Sequence, residues 1–460
     1  MKIILINPIN RSYVIMPSLG LGYLASELLK DKHEVRILNC LKEKLTYASF
    51  ADLVRKEPYD IYGFQMFSYD FSSLKKHLEI VKSINPAAVT VAGGAHPSGD
   101  PAGTLKALKD LDFAFRGEAE IGFRKLAGHL AAGGLDKDRA GVPGLIWRDG
   151  KEVKVNPPGL VEDLDSLSFP AWELQRPDEY PRAPHGAFAK NFPTAPLIIT
   201  RSCPFQCTFC AGKSISGTRL RKRSIDNVIA EIEYLSDNFG VREIHIEDEC
   251  FTIHKALVLE FCEKLSRSRA KVTWGLPSGI RLDSIDRDML RVMEEAGCYS
   301  VAVGVEFGSQ RILDLAKKKL TLQMIREKVA LLNETKLKVT GFFMLGFPGE
   351  TAQEMQATID LALELDLDRA QFNNFMPLPG SELWDELEKK GLLGDIDFDK
   401  FFVHNVAYSG MVGPQELKRL QRKAYLRFYL RPGIIFKLIK EVTSLGHLNY
   451  LFTRFIDAVK

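Results

Sequence analysis

At 460 residues the chain exceeds one ordinary domain and suggests about two to four, and its 45% hydrophobic, 26% charged composition is that of a folded globular protein. Seven cysteines, an odd number, with no leading apolar segment of signal-peptide length, weigh against a secreted disulfide framework and for reduced thiols in the cytoplasm. No apolar run reaches the ~18–20 residues of a membrane span, and the formal charge of +3 conceals an asymmetry: residues 411–460 carry ten Lys/Arg against three Asp/Glu, a net of +7, which leaves −4 on the rest.

Residues 1–140 alternate apolar strands with helices. Strands are expected at 3–7, 35–38, 60–67, 89–92 and 113–116, and helices at 19–30, 50–56, 72–84 and 121–132. Such alternation builds βαβ units and a parallel sheet covered on both faces. Five units give an α/β, flavodoxin-like doubly wound (Rossmann-type) domain, whose ligands sit beyond the carboxyl ends of the strands at the switch point. Segments 145–148 and 153–155, joined through Asp149-Gly150, read as a hairpin. A proline-containing stretch from 157 to 195 reads as a linker, so 141–195 joins two domains.

A second alternation spans 196–392, with strands at 197–200, 243–247, 273–277, 300–306, 339–345 and 371–375 and helices between them at 225–237, 256–266, 286–296, 324–335 and 352–365. Six βα units fall two short of a closed eight-stranded barrel and predict a partial (βα)6 TIM-type barrel, open on one side. Residues 393–460 turn irregular, then helical and basic. This tail is expected to cap the barrel as a helix pair. Its run Tyr425-Leu426-Arg427-Phe428-Tyr429 and the aromatic-rich 436–455 are also compatible with peripheral contact to an anionic membrane or a lipid substrate.

Directly after the first expected barrel strand comes Arg201-Ser202-Cys203-Pro204-Phe205-Gln206-Cys207-Thr208-Phe209-Cys210. Barrel chemistry occurs on this carboxyl-end face. Three closely spaced thiolates can ligate three irons of a [4Fe–4S] cluster and leave the fourth iron open. A closed zinc site would want four ligands, usually in CxxC pairs, and no second pair is present.

The loop resembles the CxxxCxxC motif of the radical S-adenosylmethionine (SAM) superfamily. The resemblance implies that Cys203, Cys207 and Cys210 hold the cluster and that its open iron chelates the amino and carboxylate groups of SAM. Reduction by an external flavodoxin- or ferredoxin-type donor would then release a 5′-deoxyadenosyl radical. It also implies SAM contacts at successive strand ends. These are Phe209, beside the last cysteine; Glu247 and Asp248 of Glu247-Asp248-Glu249; Ser278 and Arg281; and Glu306 in Gly304-Val305-Glu306-Phe307-Gly308-Ser309, similar to the family's GxExGS segment. GFFMLGFPGE at 341–350 resembles its fifth-strand glycine motif. Strand-end carboxylates also cap helices, and glycines also make turns.

Fold alone does not name the ligand of the first domain. Leu19-Gly20-Leu21-Gly22-Tyr23-Leu24-Ala25 has GxG, but Ala25 stands where a dinucleotide fingerprint has its third glycine. Together with Pro17-Ser18, Gly93-Gly94-Ala95-His96-Pro97 and Arg116-Gly117-Glu118, it resembles the cobalamin-binding domain of class B radical SAM enzymes. With the barrel, the resemblance covers about residues 1–400 and extends to the anaerobic magnesium-protoporphyrin cyclase and hopanoid methylase branch. It implies cobalamin contacts from Ser18, Leu19, Gly20, Gly93, Gly94, His96, Arg116, Gly117 and Glu118, with His96 either reaching the cofactor tail or capping a helix. Asp31-Lys32-His33 begins like the DxHxxG signature that places a histidine under cobalt, but Arg36 replaces its glycine and the segment follows the first helix. Cobalamin is therefore expected base-off, without a His ligand, its lower face over Gln65, Phe67, Ser68 or Tyr69.

The resemblance implies methyl transfer: one SAM supplies the methyl group to the corrinoid, a second supplies the radical, and an unactivated carbon, or a phosphorus, receives the methyl. Oxidation, cyclisation or rearrangement with the same cofactors is the alternative. A methylthiotransferase would need N-terminal cysteines for a second cluster, and only Cys40 precedes Cys203. A cobalamin or SAM sensor would have no use for a redox-active cluster. The expected partner is a small-molecule or lipid substrate rather than nucleic acid, and no motif names it.

Overall fold

The structure is a computed structural model that describes residues 1–460 except 13, 135–137, 183–188, 395, 403–404, 443–447, 449–450, 454 and 458–460. Its first sheet begins with β1 (Lys2–Asn7), β2 (Glu34–Asn39), β3 (Ile61–Gln65), β4 (Val89–Gly93) and β5 (Phe113–Phe115). These strands are parallel and lie in the order β2-β1-β3-β4-β5, the flavodoxin order, with the switch point between β1 and β3. The run Ile3-Ile4-Leu5-Ile6 in β1 is buried on both faces. Ile3 and Leu5 join the core under α1 (Leu19–Lys30), while Ile4 and Ile6 join the one under α2 (Tyr47–Lys56) and α3 (Phe71–Ile84). Short α4 (Ala95–Gly99) and α5 (Pro101–Ala107), then α6 (Glu120–Ala131), complete the covering layers.

The expected hairpin, β6 (Leu145–Asp149) and β7 (Glu152–Val155), extends this sheet antiparallel from β5. Its register pairs Asp149 with Glu152, leaving a two-residue loop whose first residue, Gly150, takes φ 61°. Positive φ there is what a primed hairpin turn requires. One helical turn, α7 (Trp172–Gln175), lies within the connecting segment.

The second sheet begins differently from the sequence reading. Its first strand is β8 (Thr194–Leu197), three residues earlier than 197–200. Pro196 lies inside it, opposite His245, and is tolerated because β8 is an edge strand. Thr200–Arg201 leaves the sheet as β9, the cysteine loop and α8 (Gly212–Ser216) follow, and β10 (Arg221–Lys222) returns antiparallel to β9.

The chain then alternates α9 (Ile225–Phe239), β11 (Glu243–Ile246), α10 (Lys255–Arg267), β12 (Thr273–Ile280), α11 (Arg287–Glu295), β13 (Cys298–Glu306), α12 (Gln310–Leu315), α13 (Leu322–Asn333), β14 (Lys338–Leu345), α14 (Ala352–Glu364) and β15 (Arg369–Asn374). Order β8-β11-β12-β13-β14-β15 is parallel throughout, and β8 and β15 do not pair with each other among the described residues. This is the open, six-unit barrel.

After α15 (Glu382–Lys389), α16 (Pro414–Tyr429) covers β15, and α17 (Pro432–Glu441) follows it. Tyr425 and Phe428 are buried against Phe372, so this part of the tail is core. The tail's cations meet the barrel's anions: Arg427 pairs with Asp360 at 2.7 Å and Lys437 with Asp368 at 3.0 Å. The charge asymmetry is thus answered in part within the molecule. Much of 436–455 lies outside the described residues. Among the described residues, no helix is long and apolar enough to cross a membrane.

Candidate active site

The cysteine loop sits at the carboxyl end of the second sheet and is pinned from several sides. Thr208 N donates to the Ala316 carbonyl (3.1 Å), and the Thr208 carbonyl accepts from Leu383 N (3.0 Å). The Arg281 guanidinium lies 3.6 Å from the Phe205 ring centroid, is forked onto Asp283, and donates to the Lys318 carbonyl. Cys203 and Cys207 are half-buried and Cys210 is exposed. Among the described residues, no three His, Cys, Asp or Glu side chains close on a single ion. A cubane takes one thiolate per iron and does not need the three to converge on one point.

The strand-end residues divide into two groups. Glu247 directly follows β11 and accepts a hydrogen bond from Ser278 Oγ. Glu306 ends β13 with φ 67° and receives Lys318 Nζ at 2.8 Å. Phe209 stands edge-on to Phe307. Asp248 corrects the sequence reading. It is buried, and its two oxygens accept Ile199 N (2.8 Å), Thr200 N (2.8 Å) and Thr200 Oγ1 (2.7 Å). Asp248 therefore holds the excursion from β8 into β9 and leaves no oxygen turned to SAM. Arg281 directs its Nε and Nη2 to Asp283 and the Lys318 carbonyl and stacks on Phe205 of the cysteine loop.

A cavity of about 470 Å³ opens at the carboxyl edge of the first sheet. Gly20, Gly93, Gly94 and Gly117 line it with Gln65 and Phe67, and its far wall is Thr200, Arg201, Ser202, Glu247 and Glu249. A Cβ added to Gly20 would meet nothing within 4 Å, so this backbone faces open space; Gly94, at φ 118°, passes so close to Met66 that a Cβ would lie 2.9 Å from its carbonyl oxygen. Side-chain-free backbone of this kind lets a large planar ligand approach closely, so the residues present suit a corrinoid.

Of the other residues expected at cobalamin, only Glu118 lines the cavity. Ser18 caps α1 and donates to Gln65 Oε1 at 2.7 Å, and Leu19 packs against core. Ser68 bonds His96 Nδ1 at 2.9 Å, and the His96 ring is buried beside Phe71 and Phe398, its pKa pushed down to about 4 by that burial. The ring packs against Phe71 and Phe398. Tyr69 stacks on Phe67 and meets Phe402 edge-on. Arg116 follows β5, half-buried, and does not line the cavity. Glu118 lines it, but its carboxylate is forked onto Arg221. His33 lies 3.5 Å from the amino group of Met1, at the opposite edge of the sheet from the cavity.

Sequence reasoning missed Arg201, Arg221 and Lys318. Nothing in the spacing of Arg221 or Lys318 marks them as site residues, yet they are only 4% and 6% exposed.

Comparison with known proteins agrees with both halves. Residues 197–362 match the Radical SAM superfamily and residues 9–127 match the B12 binding domain. The chain is 32% identical over 452 residues to an uncharacterized methyltransferase, PH0819, of Pyrococcus horikoshii, covering 96% of this chain and 95% of that one. It is 30% identical to cytidylyl-2-hydroxyethylphosphonate methyltransferase of Streptomyces wedmorensis (82% and 78% covered). It is 27% identical to the anaerobic magnesium-protoporphyrin IX monomethyl ester cyclase of Rubrivivax gelatinosus (91% and 75%). In fold it is similar to TsrM, a radical SAM methyltransferase of Kitasatospora setae solved with cobalamin and a [4Fe–4S] cluster (TM-score 0.68, 18% identity, 91% and 81% covered). The two parallel sheets, the three-cysteine loop and the glycine-lined cavity thus define a radical SAM enzyme with a cobalamin-binding domain. The chain belongs to the cobalamin-dependent, methyltransferase-like branch of the radical SAM superfamily, whose cofactors are a [4Fe–4S] cluster, SAM and cobalamin.

Proposed function

We propose that this enzyme transfers a methyl group to an unactivated carbon, or a phosphorus, of a small-molecule or lipid substrate. The observation that carries the proposal is the shared cavity: glycines at the edge of the cobalamin-binding sheet and Ser202, Glu247 and Glu249 of the cluster side face the same space. When bound, the cluster with SAM supplies a 5′-deoxyadenosyl radical and the corrinoid carries the methyl group. The chain's own work is placement. Cys203, Cys207 and Cys210 hold the cluster; Glu306 and Glu247 offer carboxylates to the SAM amino group or ribose; Phe209 flanks the adenine. Gln65 and Phe67 would meet the lower face of a bound corrinoid and neither would be a strong cobalt ligand, and His33 is too remote to supply one, so the base-off, His-free form is the one proposed. The free thiols Cys40, Cys250, Cys262 and Cys298 support a cytoplasmic setting with an external flavodoxin- or ferredoxin-type reductant. The methyltransferase names of the Pyrococcus and Streptomyces relatives support methyl transfer as the outcome.

The test is anaerobic incubation of the reconstituted enzyme with reductant, SAM, cobalamin and candidate substrates. S-adenosylhomocysteine, 5′-deoxyadenosine and a methylated product are expected together. The three Cys→Ser variants should each lose iron and all three products while keeping the wild-type circular dichroism spectrum. 5′-Deoxyadenosine with a cyclised or dehydrogenated product and no methylation would overturn the proposal in favour of the chemistry for which the Rubrivivax relative is named.

A further inference from the structure

Arg221 joins the two halves of the site. Its Nη1 donates to Glu118 Oε2 (2.8 Å) and to the Val161 carbonyl (2.7 Å). Its Nη2 donates to Glu118 Oε1 (2.6 Å), to the Ser216 carbonyl (2.9 Å) and to Ser202 Oγ (3.1 Å). These acceptors come from four places: the loop after β5 that lines the cobalamin-side cavity, the connecting segment, the residue just before Cys203, and the end of α8 just beyond Cys210. Arg201 adds a second bridge, 3.4 Å from Glu118 and 2.7 Å from Glu120. Two carboxylates of the first domain thus face two guanidiniums of the barrel, in a balanced and almost fully buried set. A forked, charge-assisted contact of this kind fixes orientation as well as distance.

The backbone on both sides is held where only its surroundings can keep it. Ser202 has φ 82° and is fully buried, and its hydroxyl lies between Arg221 and the Ser216 carbonyl. A non-glycine residue persists in that region only when neighbouring contacts over-determine it. Gly117, at φ 72°, presses so closely on the segments opposite that a Cβ would lie 2.9 Å from Pro158 Cβ and 3.2 Å from the Ile215 carbonyl oxygen. The loop carrying Gly117 and Glu118 and the loop carrying Cys203 are therefore locked to each other through Arg221.

We propose that Arg221 is a positioning residue that sets the spacing between the corrinoid and the iron–sulfur cluster. This rests on the methyl-transfer reading, in which both cofactors must address one substrate atom and small misplacements carry large rate penalties. Lysine cannot substitute, because one ammonium has no planar fork to span Glu118, Ser202 and Ser216 at once.

The test uses the reconstituted holoenzyme with paramagnetic cobalt(II) in the corrinoid and a reduced cluster. Pulsed EPR reads the cobalt-to-cluster distance distribution in the wild type and in Arg221→Lys. A single narrow distribution is expected for the wild type. The lysine variant should broaden or shift it by roughly an ångström, and should raise the ratio of 5′-deoxyadenosine to methylated product by roughly 10–100-fold. An unchanged distribution and ratio with only a lower melting temperature would overturn the proposal, leaving Arg221 a purely structural ion-pair member. If Arg221→Lys does not fold or load, Ser202→Ala keeps the guanidinium and removes one anchor; it should broaden the distribution less, and no broadening counts against the proposal. If the wild type makes no methylated product, the methyl-transfer reading fails, while the distance measurement still decides the role of Arg221.

Discussion

Lys318 Nζ lies 2.8 Å from Glu306 Oε1, and the two side chains are only 8% and 13% exposed. The pair is built on unusual backbone: Glu306 has φ 67°, and the residues on either side of Lys318, Lys317 and Lys319, have φ 51° and 56°. Such conformations cost free energy and gather where function holds them in place. Lys318 and Arg281 are the cations that face Cys207, so the pair also balances charge beneath the cluster loop. Lys318→Met leaves a buried carboxylate without its cation and should destabilise the protein by about 3–5 kcal/mol. The double variant Lys318→Met/Glu306→Gln should recover most of that loss in denaturant unfolding. Glu306→Gln alone should keep its iron but bind SAM about 10–100-fold more weakly, the worth of one charged hydrogen bond of about 1.5–3 kcal/mol. Unchanged SAM affinity by equilibrium dialysis would remove Glu306 from the SAM site.

What the sequence disclosed follows from the range of the physics involved. The parallel, doubly covered first sheet was legible because short apolar runs such as Ile3–Ile6 alternate with helices, as strands buried on both faces do. The cysteine loop was legible because its chemistry is written in consecutive residues. The start of β8 was misplaced by three residues because Pro196 argues against a strand unless the strand is known to be an edge, and edges are a property of the whole sheet. Asp248 looked available at a strand end; only the fold shows that Ile199 and Thr200, 49 and 48 residues away, use both its oxygens. Arg221 lies 103 residues from Glu118, and nothing local separates it from the exposed Arg219 and Lys222 beside it.

Three buried carboxyls set a pH dependence of stability. Burial pushes Glu350 up to about 8, and Asp248 and Asp70 up to about 7. Unfolded carboxyls titrate near 4. Between roughly pH 4 and the folded values the native state therefore binds more protons than the unfolded chain, and the contribution of these groups to stability falls as pH rises. Glu350 is the clearest case. Its Oε2 accepts Gly346 N (2.7 Å) and Phe347 N (3.0 Å), while Oε1 is buried without a hydrogen-bond partner among the described residues. Glu350→Gln keeps the acceptor and removes the titration. Its denaturation free energy, compared with wild type between pH 6 and 8, should fall less steeply, by up to about 1.4 kcal/mol per pH unit. Parallel profiles would mean that Glu350 titrates normally.

The edge of the barrel depends on the tail. β15 is an edge strand, and an unpaired edge is a template for association with another chain. Here α16 covers it with side chains that replace a neighbouring strand. Ala370 N donates to Tyr429 Oη (3.3 Å) and Phe372 N to Tyr425 Oη (3.2 Å), while the carbonyls of the same residues accept from Tyr429 Oη and Gln421 Nε2, both at 2.8 Å. Phe428, fully buried, supplies the apolar part of the seal. Phe428→Ala should cost about 3–5 kcal/mol, and Tyr425→Phe, which leaves a backbone donor unpaired, about 1–3 kcal/mol. A chain ending at residue 412 should still contain every barrel strand but expose the β15 edge and Phe372. Light scattering should show it associating at concentrations where the full chain stays disperse. A truncated protein that remains disperse and melts at the wild-type temperature would show that α16 adds nothing to the barrel it covers.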